Sequence, residues 1–237
     1  MKLVLIVGVI VLIGGAWLVL GGNDTPSGDT PMAMEKKQGA TPQPATAVDV
    51  TKPIPAGTYT INPEKSLVNW AAKKPLIDGY INSGTLKVTE GSVTVAPTAT
   101  QGSFTIDMNT LDVGLTAKKP GQEGKLEEHL KGERFFNVAA FPTATFVITQ
   151  VTPVANPTTQ ETHTLTGNLT MKGETHAVSF PAVVTATDGT LMAKATTEID
   201  RTKWGITAGS KNFFENLGDN MIDDMIGLSI TLEAKKQ

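Results

Sequence analysis

The 237-residue chain contains no cysteine. That absence excludes a disulfide framework, a thiolate metal site and a cysteine nucleophile. It also excludes a lipid anchor of the kind carried on a cysteine. Aromatic residues are scarce, at 5%, while Thr, Val, Ile and Gly are frequent, a mixture that favours strands over helices. Basic residues are not in excess: the net charge is −3, and no stripe of Lys and Arg suits a phosphate backbone, which argues against nucleic acid as a partner. Gly-x-Ser-x-Gly, a phosphate loop and a dinucleotide fingerprint are all missing.

Histidine is nearly as scarce, with only His129, His163 and His176. If a turn at residues 172–175 pairs Met171 with His176, then His163 falls opposite Val184. The two histidines then lie roughly 26 Å apart at about 3.3 Å per residue, too far to share a metal. Asp219, Asp223 and Asp224 lack the spacing and terminal Glu of a calcium loop. Asn168-Leu169-Thr170 has the pattern of a glycosylation sequon but falls within an expected strand. The chain therefore reads as a non-enzyme with no cofactor and no metal.

One long hydrophobic run is present. Residues 3–20 are eighteen uncharged, mostly aliphatic residues preceded by Lys2. As a helix they would span roughly 27 Å, close to the ~30 Å hydrocarbon core of a bilayer. Cleaved signals have shorter apolar stretches and a small-x-small site. Residues 1–20 are thus expected to be an uncleaved anchor in preference to a signal peptide. Lys2 on one side and Asp24 and Asp29 on the other put the rest of the chain on the outer face of a cell membrane, periplasmic or extracellular. If the segment were cleaved, the protein would be secreted. Residues 21–56 are rich in Pro, Thr, Gly and Ala without apolar periodicity, which predicts a disordered linker.

From residue 57 onward the pattern has period two. Phe104, Ile106 and Met108 alternate with Thr105, Asp107 and Asn109; Leu165, Gly167, Leu169 and Met171 alternate with polar residues; Val178, Phe180, Ala182 and Val184 continue beyond a turn. Such runs specify antiparallel strands with one dry face. About eight strands are expected in residues 57–237, with one helix over 122–132, where Leu126, His129 and Leu130 share a face. Eight strands suit a closed barrel just wide enough to pack itself full or to hold one small ligand. A sandwich has the same alternation. The small inward residues Gly167, Ala182, Ala193 and Ala195 suggest spare volume, although small and large residues also alternate in a solidly packed taper.

The stretch KLEEHLKGERFFNVAAFPTATF (125–146) resembles the YceI-like family of lipocalin-like, polyisoprenoid-binding proteins, with His129, Leu130, Phe135, Phe136, Phe141, Pro142 and Phe146 in matching places. LTGNLTMKGETHAVSFP (165–181) is similar to the family's hairpin, and IDRTKWGI (199–206) to its Arg-x-x-aromatic-Gly. The closing strand around residues 226–232 and the opening YTINPEKSLVNW (59–70) follow in order. The resemblance implies an eight-stranded antiparallel barrel around an apolar channel, an exported protein, and a long isoprenoid or related lipid bound without a chemical step. Where many members carry His, this chain has Lys65, Lys73 and Tyr80, so if those histidines contact the ligand's polar head, the family's head-group preference does not carry over.

The candidate ligand-binding residues are Trp70, Phe104, Phe135, Phe136, Phe141, Phe146, Phe180, Trp204, Phe213 and Phe214. Each also has a structural reading. The phenylalanines beside the helix would bury it against the barrel, and Trp70 and Trp204 would plug the barrel ends. Phe213 and Phe214, in a Gly/Asn-rich loop, would form a lid, touch the membrane or simply pack. Arg201 reads as a structural ion-pair partner ahead of a clamp on an anionic head, and His129 as a group interacting with the last carbonyls of its helix ahead of a ligand contact. The partners expected are an apolar lipid, of polyisoprenoid or isoprenoid-quinone type, and the membrane reached through the N-terminal helix. Pairing as a homodimer is left open. The competing function is a structural or adhesion module whose barrel is packed solid.

Overall fold

The alternating runs are extended in the structure, a computed structural model that describes residues 53–155 and 160–237. In chain order these are β1 (Gly57–Ile61), β2 (Leu67–Lys73), β3 (Ile81–Val95), β4 (Thr100–Thr116), α1 (Glu123–Lys131), β5 (Thr143–Pro153), β6 (His163–Met171), β7 (Glu174–Thr187), β8 (Thr190–Asp200) and β9 (Met225–Lys236). Neighbouring strands run β3-β2-β9-β8-β7-β6-β5-β4, all antiparallel, and β4 pairs again with β3. The sheet closes on itself, which leaves no edge unpaired and excludes a sandwich. The expected anchor and most of the expected linker lie outside the described residues. No helix among the described residues is long and apolar enough to cross a membrane.

Nine strands occupy eight positions. Both β1 and β2 lie between β3 and β9: β1 against Ser92–Val95 and Ala234–Lys236, β2 against Ile81–Lys87 and Gly227–Thr231. The wall there is one strand broken at residues 62–66, where Pro63 has no N–H to offer a ladder. Buried Ser66 mends the break: its Oγ donates to the Glu233 carbonyl at 3.3 Å and accepts the Glu233 N–H at 3.1 Å. The Glu233 carboxylate, itself buried, takes Asn62 Nδ2 at 2.9 Å and Lys65 Nζ at 3.5 Å. Lys65 therefore belongs to the strand break, away from any cavity.

The β6–β7 hairpin turns on two residues, Lys172 (φ 51°) and Gly173 (φ 82°), and Met171 pairs with Glu174. Two consecutive positive φ values match the twist of tight hairpins. This corrects the expected four-residue turn: His163 faces Ala182, and His176 faces Leu169. The two histidines remain about six residues, or roughly 20 Å, apart along the sheet.

The barrel's ends differ. One carries the connections 74–80, 117–142 (with α1), 172–173 and 201–224; the other carries 96–99, 154–162 and 188–189. Near the junction of the two halves, Gly167 faces the Phe146 ring so closely that a Cβ would sit 2.4 Å from its Cζ and 2.5 Å from the Val147 carbonyl. Gly167 leaves no void; it makes room for an aromatic ring. Gly167→Ala is expected to destabilise the fold by about 1–3 kcal/mol through overpacking, measured as a shift of the urea midpoint. A neutral result would mean that Phe146 can move aside.

Candidate functional site

Inward-facing side chains at the end with the long connections enclose a cavity of about 640 Å³, within the usual range of small-molecule sites. Its wall is drawn from all eight strand positions. It includes Trp70 from β2, Leu86 from β3, Ile106, Met108 and Leu111 from β4, Met171 from β6, Ile199 from β8, and Leu228 and Ile230 from β9. Phe104, Phe146 and Phe180 form the floor, with ring centroids 5.3 Å and 5.7 Å apart along the series. Beyond them, the opposite half of the barrel is nearly filled: Ile61, Val93, Ile148, Leu165, Val184 and Leu232 leave about 40 Å³. The barrel is not packed solid.

The volume arises differently from the sequence-based expectation. None of Gly167, Ala182, Ala193 and Ala195 borders the large cavity, and Ala193 borders only the small one. The wall of the large cavity is mostly bulky. Space remains because this end is covered by the connections, not filled by side chains meeting across the axis. Val178, Ile199, Ile226, Leu228 and Ile230 line the cavity yet stay partly exposed, because the cavity itself lies over them.

Helix α1 forms one side of the cover. It turns Leu126, His129 and Leu130 toward the cavity, and Phe135 and Phe136 follow as lining residues. The His129 ring lies 5.0 Å from that of Phe135. The helix start is tied to the barrel by the Thr116 hydroxyl, 2.8 Å from the Glu123 carboxylate, and this hydrogen bond holds the carboxyl below its ordinary pKa. The 201–224 connection forms the other side, contributing Ile206, Ala208, Leu217 and Ile222.

Arg201 organises that connection. Its Nη1 donates to the carbonyls of Ile206 at 2.6 Å and Ala208 at 2.9 Å, its Nε to Asp223 O at 3.0 Å, and its Nη2 to Ile222 O at 3.2 Å and the Asp224 carboxylate at 3.3 Å. Asp224 in turn accepts from Ser210 Oγ at 2.9 Å and Asn212 Nδ2 at 2.7 Å. Although Arg201 borders the cavity, all three of its nitrogens are engaged within the protein.

Polar residues border the cavity at its rim: Lys73, Lys74, Tyr80, Asn82, Arg134 and Asn220. Lys74 Nζ donates to the Asp219 carbonyl at 2.9 Å and lies 5.2 Å from the Tyr80 ring centroid. Together with Arg201, the charged residues that border the cavity are all basic, and no carboxylate is among them. Two departures from the family pattern, Lys73 and Tyr80, thus stand at the rim.

Of the ten candidate residues, the structure brings six to the cavity: Trp70, Phe104, Phe135, Phe136, Phe146 and Phe180. Trp204 is buried elsewhere, its indole N–H donating to Leu169 O at 3.1 Å and its ring meeting His176 edge-on at 5.2 Å. Phe141 lies over Gly173 at the hairpin turn. Phe213 and Phe214 are 57% and 47% exposed and do not border the cavity. The residues that sequence reasoning did not single out are mostly aliphatic, joined by the polar Lys74, Asn82, Arg134 and Asn220. Leu228 and Ile230 fall in the closing strand read around residues 226–232, and Ile206 ends the family-like stretch 199–206, but nothing in the irregular remainder of the 201–224 segment signalled Ile222.

A sequence profile described as the YceI-like domain matches residues 59–234. A UPF0312 protein of Enterobacter sp. (strain 638) is 35% identical over 102 residues, 42% of this chain and 46% of the relative. Protein YceI of Salmonella newport (strain SL254) is 32% identical over 102 residues, 42% and 47% of the two chains. The chain thus spans about half the length of the curated relatives it matches. Among solved structures, BcnA of Burkholderia cenocepacia superimposes with a TM-score of 0.57 at 21% identity, over 74% of this chain and 99% of that one. A polyisoprenoid binding domain from Saccharophagus degradans, implicated in plant cell wall breakdown, gives 0.52 at 14% identity, over 77% and 100%. At these identities the structural likeness is one of fold.

Proposed function

Since the chain belongs to the family of YceI-like domains, we propose that its barrel binds a long apolar lipid, a polyisoprenoid or isoprenoid quinone, and carries or stores it without a chemical step. The observation that carries this is the cavity of about 640 Å³ with an apolar wall, an aromatic floor and a basic rim. The polyisoprenoid binding named for the Saccharophagus degradans domain supports the same ligand class. The apolar residues 3–20 support a tether that keeps the barrel beside the outer face of the cytoplasmic membrane, where such lipids reside. The competing reading, a solidly packed structural module, has the cavity against it.

Cavity size sets an expectation for chain length. At about 30 Å³ per water-sized group, the space holds on the order of twenty carbon-sized groups. Burying them is worth roughly 0.8 kcal/mol each before the costs of immobilisation. Affinity for isoprenoid alcohols is therefore expected to climb with chain length and to level off near about twenty carbons, as longer tails protrude from the mouth. Competition binding across a series of isoprenols would show it; affinity independent of length would sink the cavity as the binding site. Solvent extraction of the purified full-length protein tests the reading as a whole. An isoprenoid-type lipid is expected in the extract, and a barrel that is empty and takes up no added isoprenoid would overturn it.

A further inference from the structure

Exposed bulky apolar side chains gather at one end of the barrel. Leu76 lies in the 74–80 connection, Ile81 opens β3, Leu115 sits at the end of β4 opposite Ser83, Met225 opens β9 opposite Asp200, and Phe213 and Phe214 lie in the 201–224 connection. Strand pairing places all six around the end that holds the cavity rim. Val147, on the wall of β5, is the one other exposed large apolar side chain among the described residues. The described residues of the connections at the opposite end carry none. Single exposed apolar residues are ordinary, but a set confined to one end is not.

We propose that this end of the barrel docks onto the surface of a lipid bilayer, with Leu76, Phe213 and Phe214 entering the headgroup–acyl boundary and the cavity mouth facing the membrane. The inference rests on the barrel being a lipid carrier. Four observations favour a bilayer over a protein partner. The apolar side chains come from separate segments around a mouth and do not line one groove, an arrangement that suits a fluid apolar phase with no shape of its own. Aromatic and aliphatic tips of this kind partition into membrane interfaces. The cavity they surround has an apolar wall, and an isoprenoid moving from bilayer to cavity through water would expose its whole tail. A mouth pressed against the membrane removes that exposure. Lys74 and Arg134, with Lys73 (which also pairs with Glu198 at 3.9 Å), border the cavity with no acid among the lining residues and suit lipid phosphates. Asp78, Glu133 and Asp219 lie on the same connections, so insertion is expected to matter more than anionic lipid.

The chain has no cysteine, so single labels are clean. Full-length Leu76→Cys, Phe213→Cys and, at the opposite end, Thr98→Cys would each carry an environment-sensitive fluorophore. They would be reconstituted into phosphatidylcholine–phosphatidylglycerol vesicles containing spin-labelled lipid. Quenching is expected at positions 76 and 213, at least about twofold stronger than at position 98, since only the former would lie within the interface. Equal quenching at all three positions, or none at 76 and 213, would overturn the proposal, the latter pointing to a protein partner. Separately, Phe213→Ser/Phe214→Ser is expected to slow uptake of geranylgeraniol from vesicles about tenfold while leaving uptake from detergent solution unchanged. Unchanged uptake from vesicles would count against docking. Failure of the unsubstituted protein to take up geranylgeraniol even from detergent would instead sink the carrier reading, and the quenching result would still decide the docking.

Discussion

Replacing Arg201 with methionine is expected to destabilise the fold by about 3–5 kcal/mol, the usual range for removing one partner of a buried ion pair. The side chain is 4% exposed and spans the carbonyls of Ile206, Ala208, Ile222 and Asp223 as well as the Asp224 carboxylate. Methionine fills much of the volume but leaves those acceptors without a donor, each at a desolvation cost. Burial draws the guanidinium below its ordinary pKa, while Asp224, Asp200 and Asp223 oppose the shift; the guanidinium stays charged. Asp224→Asn keeps an acceptor and is expected to cost less. Urea titration gives the stability, and amide hydrogen exchange should show residues 206–224 losing protection first. A loss below about 1 kcal/mol would mean that the connection is held by its apolar contacts alone.

Filling the cavity should separate binding from folding. Leu228→Trp places a larger ring in open space. Isoprenoid affinity is expected to fall by at least about tenfold, with stability changed by less than about 1 kcal/mol, because the added atoms displace ligand and gain contacts with the wall. Ala182→Leu is the converse. Ala182 is 1% exposed and borders neither the large nor the small cavity, so the larger side chain is expected to cost about 1–3 kcal/mol of stability and leave affinity unchanged. Fluorescence titration and chemical denaturation of both variants are the measurements. If Leu228→Trp binds normally, the ligand does not occupy this cavity.

Ala182 also shows where pattern reading stops. Alternation correctly turned it inward, as it did Phe104, Phe180 and Leu228, because a period of two follows from strand geometry. Inward position does not report what lies across the barrel. Against Gly167 stands the Phe146 ring, so the smallest residue marks a tight contact; against Leu228 stands the cavity, beside a much larger side chain. A similar limit applies to Trp204 and Phe141. Both belong to stretches that match the family, yet one hydrogen-bonds the backbone of β6 and the other covers a hairpin turn.

The sequence by itself determined the antiparallel β-class, the helix over residues 123–131 to within a residue at either end, and the family. These follow from local periodicity and from ordered motifs, which need no knowledge of partners distant in the chain. Closure of the sheet was left open by alternation and implied only by the family resemblance; the pairings that achieve it, the broken β1–β2 position and the division of the barrel into a filled half and a hollow half were decided only in three dimensions. They depend on pairings such as β3 with β4 and β2 with β9, and on the Arg201 network that holds the 201–224 connection in place. That connection has no period to read. Its contribution to the cavity comes from which backbone carbonyls one buried guanidinium can reach.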